Sequence, residues 1–399
     1  MITTVLLLAA INETGLAQQS TNEYITIGGI VRNYKLYIPN GYENATSPVP
    51  LVVNIHGKTS SASDQESYTG FKTQANLDNF IVVYPNSTIM QGVSQWNVNN
   101  SENSSQDVQF ISELIDYMIA NYNINSNRVY VMGFSNGGLM TSRLACEVSE
   151  KIAAIGTVEG GMNYNILNSC DPQHPMPYMN IHGTIDAPVP YYGNTTMVPA
   201  TEVVDYWKNF NGISGNTITT KIPNTNLNDE SSAQRIVYND VSNKYRVTHI
   251  KIDGGGHSWA GSNTIIDVTN QDFSASEALW KFVKRYSLNN LIAGIEPADD
   301  DDLTAKELSM EQRIDSNKEN DILITPNPFI SELNINSTGN TESSNIAVHN
   351  MLGQKVNLGN NVINQNSISV NTSDWKSGIY FLSYTNAEGK ISTQKIIKR

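Results

Sequence analysis

The stretch Val129-Tyr130-Val131-Met132-Gly133-Phe134-Ser135-Asn136-Gly137-Gly138 decides the fold. A run of β-formers ends at Gly133 and a serine follows two residues on. Gly137 and Gly138 then remove side chains where the next helix must pack against the strand just left. This is the pattern of a nucleophile elbow. The turn lifts the Ser135 hydroxyl above the carboxyl edge of a sheet, at the start of a helix whose free N–H groups favour developing negative charge. A short G-x-S-x-G pattern also arises by chance in a chain with 27 glycines, so its chemistry depends on partners elsewhere.

Working outward, Val49–Ile55 is a continuous apolar run, the mark of a strand covered on both faces, and it ends in His56-Gly57-Lys58. Tyr24–Pro39 reads as a hairpin turning near Gly28-Gly29, Phe71–Asn79 as helical, and Phe80–Pro85 as a strand with Trp96 in the loop beyond. Asp107–Tyr122 carries apolar residues at helical spacing behind an acidic first turn. After the elbow, the spacing predicts a helix from Asn136 to about Ser149 and strands at Ala153–Val158 and Tyr178–Ile181. The second of these strands runs into His182-Gly183-Thr184-Ile185-Asp186. A helix at Val203–Phe210, a polar and irregular Asn216–Asn243, a strand at Arg246–Ile252 ahead of Gly254-Gly255-Gly256-His257, and a helix over Asp272–Arg285 complete the series. Strands alternating with helices define an α/β class: a mostly parallel sheet covered by helices on both faces, with loops at its carboxyl edge available for chemistry.

A chain of 399 residues exceeds the usual size of a single core, so two domains and a linker are expected. Hydrophobic residues make up 39% and charged ones 16%, which is not a disordered composition. The net charge of -13 argues against nucleic acid and against an anionic membrane surface. Residues 1–17 read as a signal peptide: Val5–Ile11 is apolar but too short to span a bilayer, and Gly15-Leu16-Ala17 precedes the expected cut. No other stretch is a candidate transmembrane span, and the chain reads as secreted. Cys146 and Cys170 are the whole cysteine inventory; in an exported chain they form a disulfide or, alternatively, two buried free thiols. Residues 24–286 hold the α/β pattern and 287–321 an acidic solvated linker. Its run Asp299–Asp302 reads as mutual repulsion and hydration rather than a calcium loop. Residues 322–399, with short alternating strands, form a small all-β sandwich.

A serine hydroxyl needs a general base within hydrogen-bond reach and an acid to orient that base; on this fold the chain order is Ser, Asp or Glu, His. Of the six histidines, His56 and His182 precede glycines at strand ends and read as structural, His174 and His349 lie in irregular or C-terminal sequence, and His249 lies within a strand. His257, on a glycine-rich loop late in the domain, is the candidate base. Asp186 is the candidate acid, with Glu159 as the alternative, and Asp205 falls on a helix face. The backbone N–H groups of Asn136 and Lys58 are the candidate oxyanion donors. Trp96 and Trp259 are read either as aromatic walls for the substrate or as packing tryptophans. This chemistry calls for no metal and no cofactor.

With these residues in hand, 24–286 resembles the α/β-hydrolases of the feruloyl esterase and polyhydroxybutyrate depolymerase group (LpqC-like, carbohydrate esterase family 1-like). The likeness rests on Asn54-Ile55-His56-Gly57, Asp107-Val108-Gln109-Phe110-Ile111, Gly133–Gly138, Leu144-Ala145-Cys146-Glu147, His182–Tyr191 and Gly255-Gly256-His257-Ser258-Trp259. It implies the α/β-hydrolase fold, with the family's nucleophile at Ser135, acid at Asp186, base at His257 and cysteine pair at Cys146 and Cys170. Lys58 stands where the depolymerases often carry cysteine, which weighs against polyhydroxybutyrate. Residues 322–399 resemble the type A sorting domain of the type IX secretion system of Bacteroidota, through Pro326-Asn327-Pro328-Phe329, Leu333-Asn334-Ile335, Met351–Val356, Gly378–Leu382 and Lys395–Lys398. That resemblance implies passage across the outer membrane by that machinery and removal of the domain. The expectation is a secreted serine carboxylic-ester hydrolase acting through an acyl-enzyme on polymer-borne feruloyl or acetyl esters of plant polysaccharide. The alternatives are a polyester depolymerase and a non-catalytic polymer-binding adhesin.

Overall fold

The computed structural model describes residues 20–99, 105–215, 217–239 and 246–293, and, in the C-terminal part, 322–325, 331–337, 346–350, 354–356, 362–364, 367–385 and 391–398. The expected signal peptide, the acidic run at 299–302 and the Pro326–Phe329 motif lie outside them. The chain divides into two compact units, Met1–Asp300 and Asp301–Arg399.

The first unit opens with β1 (Thr21–Ile27) and β2 (Ile30–Tyr37), an antiparallel pair whose turn uses Gly28 and Gly29 at φ 56° and 80°. Two successive positive φ angles match the right-handed twist of the flanking strands. Then come β3 (Val49–Ile55), α1 (Ala62–Thr69), α2 (Phe71–Asp78), β4 (Ile81–Pro85) and a small separate hairpin of β5 (Thr88–Met90) and β6 (Val93–Gln95). The chain continues with α3 (Ser105–Asn121), β7 (Ile124–Phe134), α4 (Asn136–Glu147), β8 (Ala154–Val158), α5 (Tyr164–Ser169), β9 (Tyr178–Gly183) and α6 (Ala200–Phe210). It ends with β10 (Thr217–Lys221), β11 (Ser232–Asn239), β12 (Arg246–Asp253), α7 (Ala275–Val283) and α8 (Leu288–Ala293).

One ten-stranded sheet runs β1-β2-β4-β3-β7-β8-β9-β12-β11-β10. Its middle, β4-β3-β7-β8-β9-β12, is parallel, and antiparallel pairs close both edges. Side chains alternate between two cores. Leu51, Val53 and Ile55 of β3, with Val129 and Val131 of β7, face α3, α4 and α6; Val52, Tyr130 and Met132 face α2, α7 and α8. Burial on both faces is why these strands read as unbroken apolar runs. The order of β4, β3 and β7 reverses the direction of winding between β3 and β7. A crevice therefore opens beyond their carboxyl ends, where His56-Gly57-Lys58 and Ser135 emerge.

Two expectations need correction. Asn216–Asn243 is not irregular throughout, since it supplies β10 and β11, paired antiparallel onto β12. Thr217–Lys221 is an edge strand with an exposed–intermediate alternation, so it lacks the apolar signal of a buried strand. The stretch from Ser287, assigned to the linker, opens with α8, whose Leu288 and Leu291 are buried in the core of the first unit.

Cys146, at the end of α4, and Cys170, just past α5, form a disulfide with a sequence separation of 24. In the chain-entropy picture a loop of this length stabilises by about 3 kcal/mol. Unreduced protein is expected to titrate no free thiol, and reduction to lower the calorimetric melting temperature. Two titratable thiols in native protein would remove the bridge from the account.

The second unit carries β13 (Ile322–Thr325), β14 (Glu332–Ser337), β15 (Ile346–Asn350), β16 (Lys355–Val356), β17 (Val362–Asn364), β18 (Ser367–Asn371), β19 (Gly378–Thr385) and β20 (Ile391–Lys398). They form two four-stranded antiparallel sheets, β13-β14-β18-β17 and β16-β15-β19-β20. Leu333, Ile335 and Val370 from one sheet pack with Ile346, Val348, Tyr380, Leu382 and Ile396 from the other, which makes a small sandwich. Among the described residues no helix is long and apolar enough to cross a membrane.

Candidate active site

Ser135 joins β7 to α4 at φ 55° and ψ -122°, a conformation that non-glycine residues rarely adopt. Packing imposes it. A side chain on Gly137 would run into the backbone carbonyls of Ile55 and His56, and one on Gly133 into that of Gly137, so only glycines let α4 turn back so tightly. The Ser135 N–H donates to the Val158 carbonyl at 2.9 Å and its carbonyl accepts from Leu139 at 3.0 Å, which fixes the turn from both sides.

His257 arrives on the loop after β12. Its backbone N–H donates to Asp267 Oδ2 at 3.0 Å, and its ring lies against Phe134 with centroids 4.9 Å apart. Its Nε2 stands 2.8 Å from Ser135 Oγ and its Nδ1 2.8 Å from Asp186 Oδ2. With the Nδ1 proton directed at Asp186, the Nε2 lone pair faces the serine hydroxyl, the arrangement needed for proton removal from oxygen. Asp186 sits just past β9, and its Oδ1 accepts from the Val189 N–H at 2.8 Å. Burial pushes the Asp186 carboxyl up, but hydrogen bonds from His182 and His257 outweigh it and hold the group well below the usual carboxylate range. Asp186 is therefore an anion at any pH near neutral.

The loop after β3 abuts the serine: a Cβ on Gly57 would stand 3.3 Å from Ser135 Cβ. No described hydrogen bond uses the backbone N–H of Lys58 or Asn136; Asn136 directly follows Ser135, and Lys58 directly follows Gly57. The next residue, Thr59, has φ 64° and donates its N–H to the Ser94 carbonyl at 2.8 Å, which anchors the loop. The Asn136 side chain grips the backbone of Trp96, its Oδ1 accepting from the Trp96 N–H at 2.7 Å. The Trp96 indole donates to the His56 carbonyl at 2.9 Å.

The expectation of tryptophan walls is corrected by burial: Trp96 is 2% and Trp259 1% exposed. Trp259 spends its indole N–H on Ser276 Oγ at 3.0 Å and packs on Phe71 and Phe134. Exposed apolar side chains occur instead at positions adjacent in sequence to Asp186 and Asp267. Ile185, which precedes Asp186, is 55% exposed, and Ile265 and Ile266, just before Asp267, are 63% and 47% exposed.

The other histidines are tied to backbone or packing groups. His56 Nδ1 bonds to the Gly57 carbonyl at 2.7 Å, and burial lowers its pKa. His174 bonds to the carbonyls of Pro175 and Ser149, both at 2.8 Å. His249 bonds to the Tyr191 hydroxyl, and burial pulls it down to about 3. Asp205 pairs with Lys208 on an exposed helix face. Among the described residues, Glu159, His182 and Asp186 form one group of metal-ligating type, with donor atoms within 4.8 Å of one another. Those donors are already engaged: Glu159 with the Gly183 N–H, His182 Nε2 with the Val189 carbonyl, and Asp186 with Val189 and His257.

Fold and site together define an α/β-hydrolase with a serine, histidine and aspartate in hydrogen-bonded series. Residues 43–210 match the phospholipase/carboxylesterase family model, and residues 323–399 match the secretion system C-terminal sorting domain. The tail match marks the chain for type IX export, to the cell surface or beyond. It is similar to a bifunctional acetylxylan esterase/xylanase of Neocallimastix patriciarum, 27% identical over 69% of this chain and 36% of that protein. It is also similar to feruloyl esterase B of Piromyces equi, 26% identical over 63% of this chain and 44% of that one. The chain therefore spans less than half the length of these two relatives. Among solved structures, acetyl xylan esterase from Aspergillus awamori aligns with a TM-score of 0.48 and 19% identity, covering 66% of this chain and 99% of that one.

Proposed function

We propose that this chain is an exported serine carboxylic-ester hydrolase that works through an acyl-enzyme. The observation that carries the reading is the unbroken series Ser135 Oγ, His257 Nε2, His257 Nδ1 and Asp186 Oδ2, with 2.8 Å at each hydrogen bond. His257 takes the proton as Ser135 Oγ attacks the ester carbonyl, and Asp186 steadies the imidazolium so formed. The N–H groups of Lys58 and Asn136 receive the oxyanion. His257 then protonates the leaving alcohol, and water, activated by the same base, releases the acid and restores Ser135.

For the substrate we infer feruloyl or acetyl esters borne on plant polysaccharide. The relatives named as acetylxylan and feruloyl esterases support that class. The test is labelling by a fluorophosphonate, followed by turnover of methyl ferulate, acetylated xylan and polyhydroxybutyrate. Adduct formation at Ser135 and turnover of the first two are expected. An unlabelled, folded protein that only binds polymer would make it an adhesin, and turnover of polyhydroxybutyrate alone would make it a depolymerase.

A further inference from the structure

Glu159 follows β8 with a fully buried side chain and a φ of 46°, a backbone conformation costly for a residue with a long side chain. Both its carboxyl oxygens accept from the Gly183 N–H, at 3.0 and 2.9 Å, and one of them lies within 4.8 Å of a carboxyl oxygen of Asp186. Two carboxyl groups can share a hydrogen bond only through a proton, and two adjacent buried anions repel. The titratable groups that face the pair lie on several elements. They are His182 on β9, His257 and Asp267 on the loop after β12, and Tyr68 on α1. The His182 Nε2 hydrogen is committed to the Val189 carbonyl at 2.8 Å, and Nδ1 is buried with no partner to accept from it, so a second proton there would go unsolvated. His257 presents its one Nδ1 hydrogen to Asp186.

Counting donors decides which acid keeps the proton. Asp186 accepts from Val189 N and His257 Nδ1, both at 2.8 Å, whereas Glu159 accepts from the Gly183 N–H. We propose that Glu159 is a positioning residue held as the neutral acid, donating its proton to Asp186 so that the Asp186 carboxylate is fixed toward His257; this rests on the serine-hydrolase reading above. Burial, reinforced by the charge of Asp186 and the hydrogen bond to it, raises the Glu159 carboxyl well above its ordinary range.

The direct test is infrared spectroscopy of the whole protein at neutral pH. A protonated-carboxyl band is expected that shifts when glutamate, but not aspartate, carries carboxyl carbon-13. This readout requires no activity and so separates the proposal from the reading of the site, which Ser135 labelling tests. In kinetics, Glu159→Gln keeps a donor in place and is expected to cost at most about fivefold in kcat. Glu159→Leu removes the donor and is expected to cost roughly 10- to 100-fold in kcat with little change in KM. Its acid limb of kcat/KM is expected at higher pH, because an Asp186 anion without that donor holds the protonated imidazole more tightly. The stability sign follows: an acid with a raised folded pKa loses stability as pH rises above its ordinary value of 4.5, so the melting temperature of Glu159→Gln relative to wild type is expected to climb with pH from there. Absence of the glutamate-dependent band, or a folded Glu159→Gln as impaired as Glu159→Leu with the same displaced acid limb, would overturn the proposal.

Discussion

Ser135→Ala and His257→Ala are each expected to lower kcat on an activated acetyl ester by about 10^4- to 10^6-fold, with circular dichroism and melting temperature close to wild type. The reason is geometric. Ser135 Oγ and His257 Nε2 form one 2.8 Å hydrogen bond, so without the base the hydroxyl stays a weak nucleophile, and without the hydroxyl the base has nothing to activate but water. Groups that act as a unit do not add, so the double variant is expected to be no worse than the poorer single one. What activity survives comes from the oxyanion donors and from binding. Asp186→Asn leaves a side chain of the same shape but favours the wrong imidazole tautomer, and is expected to cost about 10^4-fold. A folded Ser135→Ala protein within tenfold of wild type would move the nucleophile elsewhere, and a loss in Glu159→Gln exceeding that in Asp186→Asn would move the acid.

What was legible in the sequence was what burial and chain order write there. The strands covered on both faces advertised themselves as apolar runs, and the glycines of the elbow marked contacts that no side chain could enter. Since the Ser, Asp, His order of this fold is fixed, Ser135, Asp186 and His257 could be placed before any distance was known. Several of the elements that were missed bury polar surface or lie toward an edge. Helix α1 buries Ala62, Gln65, Glu66 and Thr69, so it has no apolar stripe; Gln65 and Thr69 bond to Asn54, and Glu66 pairs with Lys35. Strand β10 is the sheet edge and β11 lies next to it, where solvent permits the polar residues that made the region read as irregular. Tryptophans near a glycine-rich site look the same in sequence whether they face a ligand or the core. Only the hydrogen bonds of Trp96 to His56 and of Trp259 to Ser276 show that both are internal braces.

Lys58→Pro is expected to cost about 100- to 1,000-fold in kcat, whereas Lys58→Ala costs little, because the proposed role belongs to the backbone N–H and not to the ammonium group. Proline deletes that donor, and alanine keeps it. Gly57, which precedes the site, tolerates the restriction that proline imposes on its neighbour, and Thr59 is tied to the Ser94 carbonyl at 2.8 Å. The His56 carbonyl is likewise held by the Trp96 indole at 2.9 Å, so the strand end stays in place. The loss is expected in kcat rather than KM, since the ground-state carbonyl carries little charge and the donor matters only as the oxyanion forms. Fluorophosphonate labelling should slow in parallel, because its phosphoryl oxygen occupies the same hole. Kinetics of both variants on one ester, with melting temperatures as the folding control, decide the matter. A Lys58→Ala protein as impaired as Lys58→Pro would transfer the role to the side chain, and a folded Lys58→Pro protein with wild-type turnover would leave Asn136 with a different second donor.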